Sequence, residues 1–361
     1  MLEEIREQPA LLRGLRDTRD AWTAHFVALC REHRFRRLLF VGNGSPYYAG
    51  VTLAPAAERL LGVNACSVPA AYFRNHGSFD ASGTVPADQI LLVCPAESGH
   101  SKGQVDAARR ARAAGVPVVC TTLNPKGVLA RECDVVLAKP GCPERAVAAT
   151  KNQTMALYLV LTCLVEAAAA LGTIDAGKHA RLLAALDAVP DNVGRSVELA
   201  LAWCEGNRSR LMGAPTFFIM GYGANLGTAQ EGALKFYETH ERPTYAFEME
   251  EVLHGPFRAL HRDDVCLFLS AEAGVERDRM HVLAQASRRY CDNLVMVQGE
   301  GQAPAADRLP VASGDVEFVD ALEYLVPLQV IAAFMAHGLG IDLSKAKVPE
   351  LDPVMQPAYE D

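Results

Sequence analysis

The sequence lacks the features that mark several broad classes of protein. No two of its ten cysteines form a C-x-x-C pair, so a zinc-ribbon or thioredoxin-type motif is excluded. Lysine and arginine form no dense run and the net charge is −8, which argues against a nucleic-acid partner. The longest apolar run, Met155–Val165, is too short to span a bilayer and predicts a buried helix.

Metal and cofactor motifs are also missing. The scattered histidines have no spaced partners of the kind that ligate a metal, so we predict no metal site. We predict no organic cofactor and no membrane contact. The first residues, MLEEIREQP, are charged and carry no signal-peptide core. Together with cysteines that lie in apolar segments, this predicts a cytoplasmic protein in a reducing compartment.

The length and patterning of the chain predict two α/β domains. A chain of 361 residues, half of them hydrophobic, is long enough for two cores. Strand-like segments alternate with helical ones, which is typical of a parallel sheet; they are Arg37–Val41, Gln89–Pro95, Val116–Thr122, Asp134–Ala138, Cys266–Ser270 and Leu294–Gln298. TFFIMGYGANLG echoes RLLFVGNGSPYYAG roughly 180 residues later, which predicts two diverged copies. We place the domains at 1–185 and 186–361.

The most informative stretch runs from Gly221 to Pro256. Its helix carries Glu231, Lys235 and Glu238 at positions i, i+4 and i+7, which share one face. A histidine, His254, follows in an HGP turn. Composition alone would also fit a solvated helix face with a loop histidine. Apolar residues interleave with the charged ones, however, so we predict a largely buried helix whose carboxylates have a partner or a function.

Two loops in the first half offer hydroxyl groups at the ends of predicted strands. Ser98 and Ser101 lie in ESGHS, and Ser45 with Pro46 follows the first strand as a predicted N-cap and N1 pair. Ligands of open α/β sheets bind at the carboxyl ends of strands, where helix amides favour phosphate. Helix capping alone explains either loop, but two such loops on adjacent strands favour phosphate binding.

Two other motifs do not point to the functions they suggest. Ser98 is not an esterase nucleophile, because Ala96 stands where the nucleophile elbow requires glycine. Gly221, Gly223 and Gly227 resemble a dinucleotide fingerprint, which needs an acidic residue closing a second strand about 20 residues on. The region THERPTYAFEMEE shows no clean strand, so nicotinamide binding is not predicted.

As a set, the motifs resemble the double sugar-isomerase (SIS) domain family. GNGSPYYAG, ESGHS, AVAATK, EGALKFYE and LHGP occur in the family's order over nearly the whole chain. The resemblance is strongest to the isomerase half of glucosamine-6-phosphate synthase and its stand-alone relatives. It implies two tandem SIS domains, each a doubly wound parallel sheet flanked by helices. It also implies a homodimer, with a site that subunits can share.

The resemblance further implies roles for individual residues. A sugar phosphate would bind through Ser45, Ser98, Ser101 and Thr150. Glu238 would carry the proton between C1 and C2 of the open sugar, and His254 would assist ring opening. Lys235 and Glu231 would lie beside them.

The chain also departs from the family's pattern. Ala96, Pro46 and Ala149 stand where the family has hydroxyl groups, which suggests a modified ligand or a weaker hold on phosphate. A Schiff-base lysine would have to be Lys345 or Lys347, but the ending PELDPVMQPAYED differs from that of the synthase.

With the resemblance, these residues lead us to predict an enzyme that isomerises or deaminates an amino-sugar 6-phosphate. Moving a proton between adjacent carbons needs a base, and exchange with the sugar oxygens needs a second group. A carboxylate and an imidazole supply both roles. Two alternatives remain open at this point: a fructosamine-6-phosphate deglycase that uses the same pair, and a sugar-phosphate-binding regulator without turnover.

Overall fold

The computed structural model describes residues 1–301 and 307–360, and their contacts form two compact units. The N-terminal sheet unit contains residues 11–143, 152–186 and 346–360. The C-terminal sheet unit contains residues 1–10, 144–151, 187–301 and 307–345. The domains placed at 1–185 and 186–361 differ from this grouping at both chain ends, and their boundaries stay a prediction.

The N-terminal sheet unit is built on a parallel sheet. In the described part of the chain its strands are β1 (Arg37–Gly42), β2 (Asn64–Pro69), β3 (Ile90–Pro95), β4 (Val118–Thr122) and β5 (Val135–Ala138). They lie in the order β2-β1-β3-β4-β5, with Leu39 opposite both Cys66 and Leu92. Strands β3 and β4 are buried throughout. This is why their sequences are continuous apolar runs rather than alternating ones.

The C-terminal sheet unit repeats this arrangement. Its strands are β6 (Phe217–Gly221), β7 (Thr244–Glu248), β8 (Val265–Ser270), β9 (Asn293–Gly299) and β10 (Arg308–Val311). Their order, β10-β9-β8-β6-β7, matches that of the first sheet strand for strand. The predicted α/β class and internal repeat are therefore confirmed.

Helices precede the first strand of each sheet and connect the strands. They are α1 (Leu2–Asp17), α2 (Arg19–His33), α3 (Ser45–Leu61), α4 (Ala70–Asn75), α5 (Lys102–Ala113), α6 (Lys151–Leu171), α7 (Ala176–Gly206), α8 (Arg208–Gly213), α9 (Asn225–His240), α10 (Val275–Ser287), α11 (Asp320–Leu339) and α12 (Leu351–Met355). Helix α3 begins at Ser45 with Gly44 in the cap position. The predicted serine cap is thus displaced by one residue.

The expectation of no strand after α9 is wrong. Strand β7 occupies Thr244–Glu248 and pairs with β6 along its whole length. It is an edge strand preceded by Pro243, and β10 is an edge strand that contains Pro310. Proline is tolerated at sheet edges because one side of the strand needs no partner. Each of these short segments has a proline in or beside it, which is why the sequence pattern did not predict either strand.

Within residues 1–301 and 307–360, two helices, α6 and α11, are long and apolar enough to cross a membrane by composition alone. Their most apolar windows are 78% and 83% buried inside the protein. Core helices of globular proteins have the same character. The buried helix predicted around Met155–Val165 is confirmed, although at 21 residues α6 is longer than that run.

Each sheet has a point where the chain reverses its direction of winding. In the first sheet it lies between β1 and β3, and in the second between β6 and β8. Crevices form at the carboxyl ends of the strands at such points and commonly hold ligands. This geometry sets where ligand-binding loops are expected.

Candidate functional site

Helix α9 carries a buried charged triplet. Nζ of Lys235 lies 2.5 Å from Oε2 of Glu238 and 3.3 Å from Oε1 of Glu231. The side chains of Lys235 and Glu231 are 0% and 1% exposed, whereas that of Glu238 is 30% exposed. Glu238 is therefore the member of the triplet that can reach a ligand.

The electrostatics of the triplet keep the lysine charged. Burial lowers the pKa of Lys235, but the charges of Glu231 and Glu238 outweigh that effect, so its pKa is raised. Two carboxylates around one ammonium leave the group with a net negative charge. Lys235 thus holds Glu238 in a fixed position and balances the buried charge of Glu231.

The triplet is buried because α11 packs closely on α9. A Cβ atom at Gly232 would lie 2.4 Å from Cδ1 of Leu328, far inside van der Waals contact. The glycine of the EGALK motif therefore permits the two helices to approach each other. This approach removes water from the face that carries Glu231 and Lys235, as the interleaved apolar residues predict.

His254 lies outside this triplet. It ends the 3-10 helix Glu251–His254 and is exposed. Its charge contributes to lowering the pKa of Glu250, for which the hydrogen bond from Arg279 is the larger cause. Among the described residues, no hydrogen bond or ion pair joins His254 to Glu238. Their pairing over a substrate stays a prediction.

The predicted phosphate-binding serines of the N-terminal sheet unit follow neighbouring strands. Ser45 opens α3 directly after β1 and is buried. Ser98 and Ser101 lie between β3 and α5, and β3 pairs with β1. The Oγ of Ser98 accepts a hydrogen bond from the backbone N–H of His100 at 3.3 Å. All three residues thus belong to the carboxyl edge at the reversal point.

Thr150 is placed differently. It belongs to the C-terminal sheet unit and is fully buried. Its backbone N–H and its hydroxyl donate to the carboxylate of Glu144, at 2.8 and 2.5 Å. An internal carboxylate thus takes the place at the start of α6 where an anion would bind. The role of Thr150 in phosphate binding stays a prediction.

The C-terminal segment pairs with the ESGHS loop, a contact that sequence reasoning missed. Ser101 forms an antiparallel bridge with Ala358, and the N–H of Lys102 donates to the carbonyl of Pro357 at 2.9 Å. The N–H of Tyr359 donates to the carbonyl of His100 at 2.8 Å. The segment therefore occupies the first amide of α5.

The ring of Tyr359 anchors this segment. Its hydroxyl lies 2.7 Å from Oδ1 of Asp106, and the cations of Lys102 and Arg109 lie 5.6 and 4.9 Å from the ring centroid. Cation–π contacts of this kind contribute roughly 0.5–1 kcal/mol at exposed sites. No local pattern in the sequence signals a contact between residues some 250 positions apart.

The candidate Schiff-base lysines are both exposed. Nζ of Lys345 lies 3.1 Å from Oδ2 of Asp342, and its side chain is 80% exposed. Lys347 is also exposed. The two lysines fall in different units, Lys345 in the C-terminal and Lys347 in the N-terminal sheet unit. Neither lies in the low-dielectric setting that activates an amine for Schiff-base chemistry.

The first glycine of the apparent dinucleotide fingerprint has a structural role. A Cβ atom at Gly221 would lie 2.3 Å from the carbonyl oxygen of Asn225, so glycine is needed for the turn into α9. The acidic residue that ends β7, Glu248, accepts hydrogen bonds from the N–H groups of Glu250 and Glu251. The carboxylate therefore caps the following turn, and the absence of a cofactor stays a prediction.

A buried histidine near the end of α9 was also missed. His240 is 3% exposed and lies against the rings of Phe217 and Phe236. Burial, with the nearby charge of Arg242, lowers its pKa to about 3. It is thus neutral under ordinary conditions and belongs to the packing that surrounds the triplet.

The two parallel sheets have the same strand order. Loops with hydroxyl groups follow strands of the first sheet, and the helix after β6 in the second sheet carries the buried acid–lysine group. This combination defines a doubled sugar-isomerase fold. The SIS domain family matches residues 33–165 and 210–306. The chain belongs to the SIS domain family.

Known relatives agree with this assignment. The chain is 28% identical over 354 residues to the glutamine–fructose-6-phosphate aminotransferase [isomerizing] of Pyrobaculum aerophilum, covering 96% of this chain and 56% of that protein. The chain therefore spans about half the length of the curated relatives it matches.

Solved structures share the fold. The C-terminal domain of glucosamine-fructose-6-phosphate aminotransferase from Francisella tularensis superposes with a TM-score of 0.85 at 20% identity, covering 96% of this chain and 98% of that one. Glucosamine-6-phosphate deaminase from Thermotoga maritima gives 0.72 at 20% identity, covering 96% and 97%. At this identity the likeness establishes the fold alone.

Proposed function

We propose that this protein is an enzyme that isomerises or deaminates an amino-sugar 6-phosphate. The observation that carries the proposal is the triplet of α9, in which buried Lys235 fixes Glu238 while leaving it partly exposed. A carboxylate held in place beside a bound sugar is the group that carbon-to-carbon proton transfer requires. Two of the matched proteins act, by their names, on glucosamine 6-phosphate or fructose 6-phosphate.

In the proposed reaction Glu238 moves one proton between neighbouring carbons. Starting from the open-chain aldose, its carboxylate takes the proton from C2, and the electron pair forms a C1–C2 double bond as the C1 carbonyl oxygen accepts a proton. Return of the proton to C1, with loss of the proton from the C2 hydroxyl, forms a carbonyl at C2 and yields the ketose. With nitrogen at C2, the product is an imine that water hydrolyses to the ketose and ammonia.

Other residues take supporting roles. His254 exchanges protons with the sugar oxygens during ring opening. The hydroxyls of Ser45, Ser98 and Ser101 bind the phosphate. Lys235 and Glu231 position the base. We also propose a homodimer in the cytoplasm, which light scattering and fractionation would test.

A second candidate is a fructosamine-6-phosphate deglycase. It would use Glu238 and His254 without a lysine. The observation in its favour is that Lys345 is exposed and paired with Asp342, which does not suit a Schiff base. The same arrangement of base and phosphate loop serves both reactions, so the substrate decides between them.

The deciding experiment offers three substrates to the purified protein: fructose 6-phosphate with ammonia, glucosamine 6-phosphate, and a fructosamine 6-phosphate. Glucosamine 6-phosphate formed from the first or ammonia released from the second supports the isomerase/deaminase. Free amine with a hexose 6-phosphate from the third supports the deglycase. Binding of all three without any product overturns both proposals and identifies a regulator.

The assignment of the base is tested with Glu238→Gln. We expect turnover to fall by about a hundred- to ten-thousandfold, the range that general-base catalysis contributes, while sugar-phosphate affinity changes little. Glu198→Gln, at an exposed glutamate of the same unit, is the matched control. Unchanged turnover in Glu238→Gln would remove the assignment.

A further inference from the structure

A cavity lies at the carboxyl ends of β8 and β9 in the C-terminal sheet unit. It has a volume of about 360 Å³, and its walls include Ser270 and Gly299, the last residues of those strands, together with side chains of α10. Small-molecule sites typically measure roughly 300–1,000 Å³. The carboxyl edge is also where open parallel sheets bind ligands. The proposed reaction makes no use of this cavity.

The cavity is remote from Glu238 along helix α9. That helix begins at Asn225, just after the carboxyl end of β6, and Glu238 lies thirteen positions further along it. At 1.5 Å per residue this is about 20 Å. Glu238 therefore lies towards the amino edge of the sheet and the cavity at the carboxyl edge.

A buried hydroxyl forms part of the cavity wall. Ser270 is 2% exposed, and its Oγ lies 2.7 Å from Nε2 of His281 on α10. The hydroxyl of Tyr324 donates to the carbonyl of Ser270 at 2.8 Å, which fixes the end of β8. A hydroxyl and an imidazole held in this way can each exchange a hydrogen bond with a hydroxylated ligand.

A carboxylate is held against the end of β9. Asp315 adopts a left-handed backbone conformation, with φ at 47°. A Cβ atom at Gly299 would lie 3.1 Å from each carboxylate oxygen of Asp315. The missing side chain of Gly299 thus leaves room for this carboxylate at the cavity wall.

The charged side chains that line the cavity determine which charge a ligand can carry. Its carboxylates are Asp278, Glu300 and Asp315, whereas Arg277 is its guanidinium. Arg277 lies 3.8 Å from Asp315, and Glu300 is paired with Arg195 at 2.9 Å. Negative charge exceeds positive charge in the lining, so a phosphate dianion is repelled and an ammonium group is attracted.

We propose that this cavity binds an unphosphorylated amino sugar. The ammonium group faces Asp278 and Asp315, and the sugar hydroxyls exchange hydrogen bonds with Ser270, His281 and Gln298. The cavity thus favours a cationic ligand, whereas the proposed phosphate-binding loops favour an anionic one. The proposal does not depend on the identity of the reaction at Glu238.

The test is isothermal titration calorimetry with glucosamine, glucose and glucose 6-phosphate as probes. We expect saturable binding of glucosamine, weaker binding of glucose, and a glucosamine affinity that saturating glucose 6-phosphate leaves unchanged. Asp278→Asn with Asp315→Asn should weaken glucosamine binding at least about tenfold, since hydrogen bonds to charged groups contribute roughly 1.5–3 kcal/mol. Asparagine tolerates the left-handed backbone of residue 315.

Two further variants make the outcome decisive. Asp292→Asn removes an exposed carboxylate paired with Arg262 outside the cavity, and it should bind glucosamine as the unmodified protein does. Glu238→Gln should also retain glucosamine binding, which separates this site from the proposed active site. The proposal is overturned by no saturable glucosamine binding, by equal affinity in the double variant, or by loss of binding in Glu238→Gln.

Discussion

The two sheet units have the same strand order but use the helix after their first strand differently. Strands β1 and β6 start 180 positions apart, and at this offset Glu231, Lys235 and Glu238 correspond to Val51, Pro55 and Glu58. The carboxylate of Glu58 accepts a hydrogen bond from the backbone of Ala65 at 3.2 Å. The first copy thus uses this helix for packing, whereas the second buries a charged group in it.

The loops that follow β3 and β8 also differ, but here the first unit carries the groups suited to ligand binding. In the N-terminal sheet unit, β3 is followed by Ser98 and Ser101, but β8 in the other unit is followed by Ala271, Glu272 and Ala273. Hydroxyl groups favour phosphate and a carboxylate repels it. A repeated fold has therefore kept its architecture while its two copies acquired different chemistry.

The largest expected effect comes from removing the cation of the buried triplet. Lys235→Met would remove the ammonium group that balances the buried charge of Glu231, at a cost of about 3–5 kcal/mol in the free energy of unfolding. Urea denaturation measures this loss. In the first copy, Glu58→Ala at the position that corresponds to Glu238 removes only an exposed hydrogen bond and should cost about 1 kcal/mol. Equal losses in the two copies would contradict the comparison.

Buried His240 gives the second unit a pH dependence of stability. Its pKa is about 3 in the folded protein and roughly 6.5 when unfolded. Below pH 6.5 the unfolded chain binds a proton that the folded chain does not, so stability falls by about 1.4 kcal/mol per pH unit until about pH 3. Between pH 7 and 5 this amounts to about 2 kcal/mol.

Chemical denaturation over this pH range, with His240→Phe beside the unmodified protein, measures the effect. The variant should lose most of this slope. His25→Gln, at an exposed histidine, should retain it. The same slope in both variants would show that His240 titrates normally in the folded protein.

The approach of α9 and α11 can be tested by adding one methyl group. In Gly232→Ala the new Cβ would meet Leu328 at 2.4 Å, and overpacking of this kind costs about 1–3 kcal/mol. Gly14→Ala in α1, where the added Cβ meets nothing within 4 Å, should instead be neutral or stabilise by up to roughly 1 kcal/mol. Equal stability of the two variants would contradict the packing described.

The smallest expected effect concerns the segment that pairs with the ESGHS loop. Truncation after Glu350 frees the N–H of Lys102, which now donates to Pro357. One additional hydrogen-bond donor is worth about 0.5–1.5 kcal/mol, so inorganic phosphate should bind about two- to tenfold more tightly. Calorimetry measures this, and Asp342→Asn is the control. Weaker phosphate binding after truncation would show that the segment contributes to the site.

Local patterns predicted most of the fold and the shared face of the charged triplet, whereas the roles of the site residues stay predictions. The continuous apolar runs of β3 and β8 and the shared face of Glu231, Lys235 and Glu238 follow from short-range periodicity. The edge strands β7 and β10 did not, because proline obscures short strands. The contacts of Glu144 with Thr150 and of Tyr359 with Asp106 were also missed. In the first contact, a carboxylate of the protein takes the place at the start of α6 where an anion would bind. The second contact joins residues 253 positions apart in the sequence. Short-range patterns signal neither.

The seclusion of Lys235 has a practical consequence. An ammonium group without contact with water exchanges its hydrogens slowly, so its nitrogen should give a visible NMR resonance at neutral pH, whereas exposed lysines are broadened beyond detection. The Lys235 resonance, distinguished from that of the equally buried Lys151 by its loss in Lys235→Met, would report on Glu238 directly, because any ligand that displaces the carboxylate changes the environment of the ammonium. The protein thus contains its own spectroscopic probe, which requires no label beyond isotopic nitrogen.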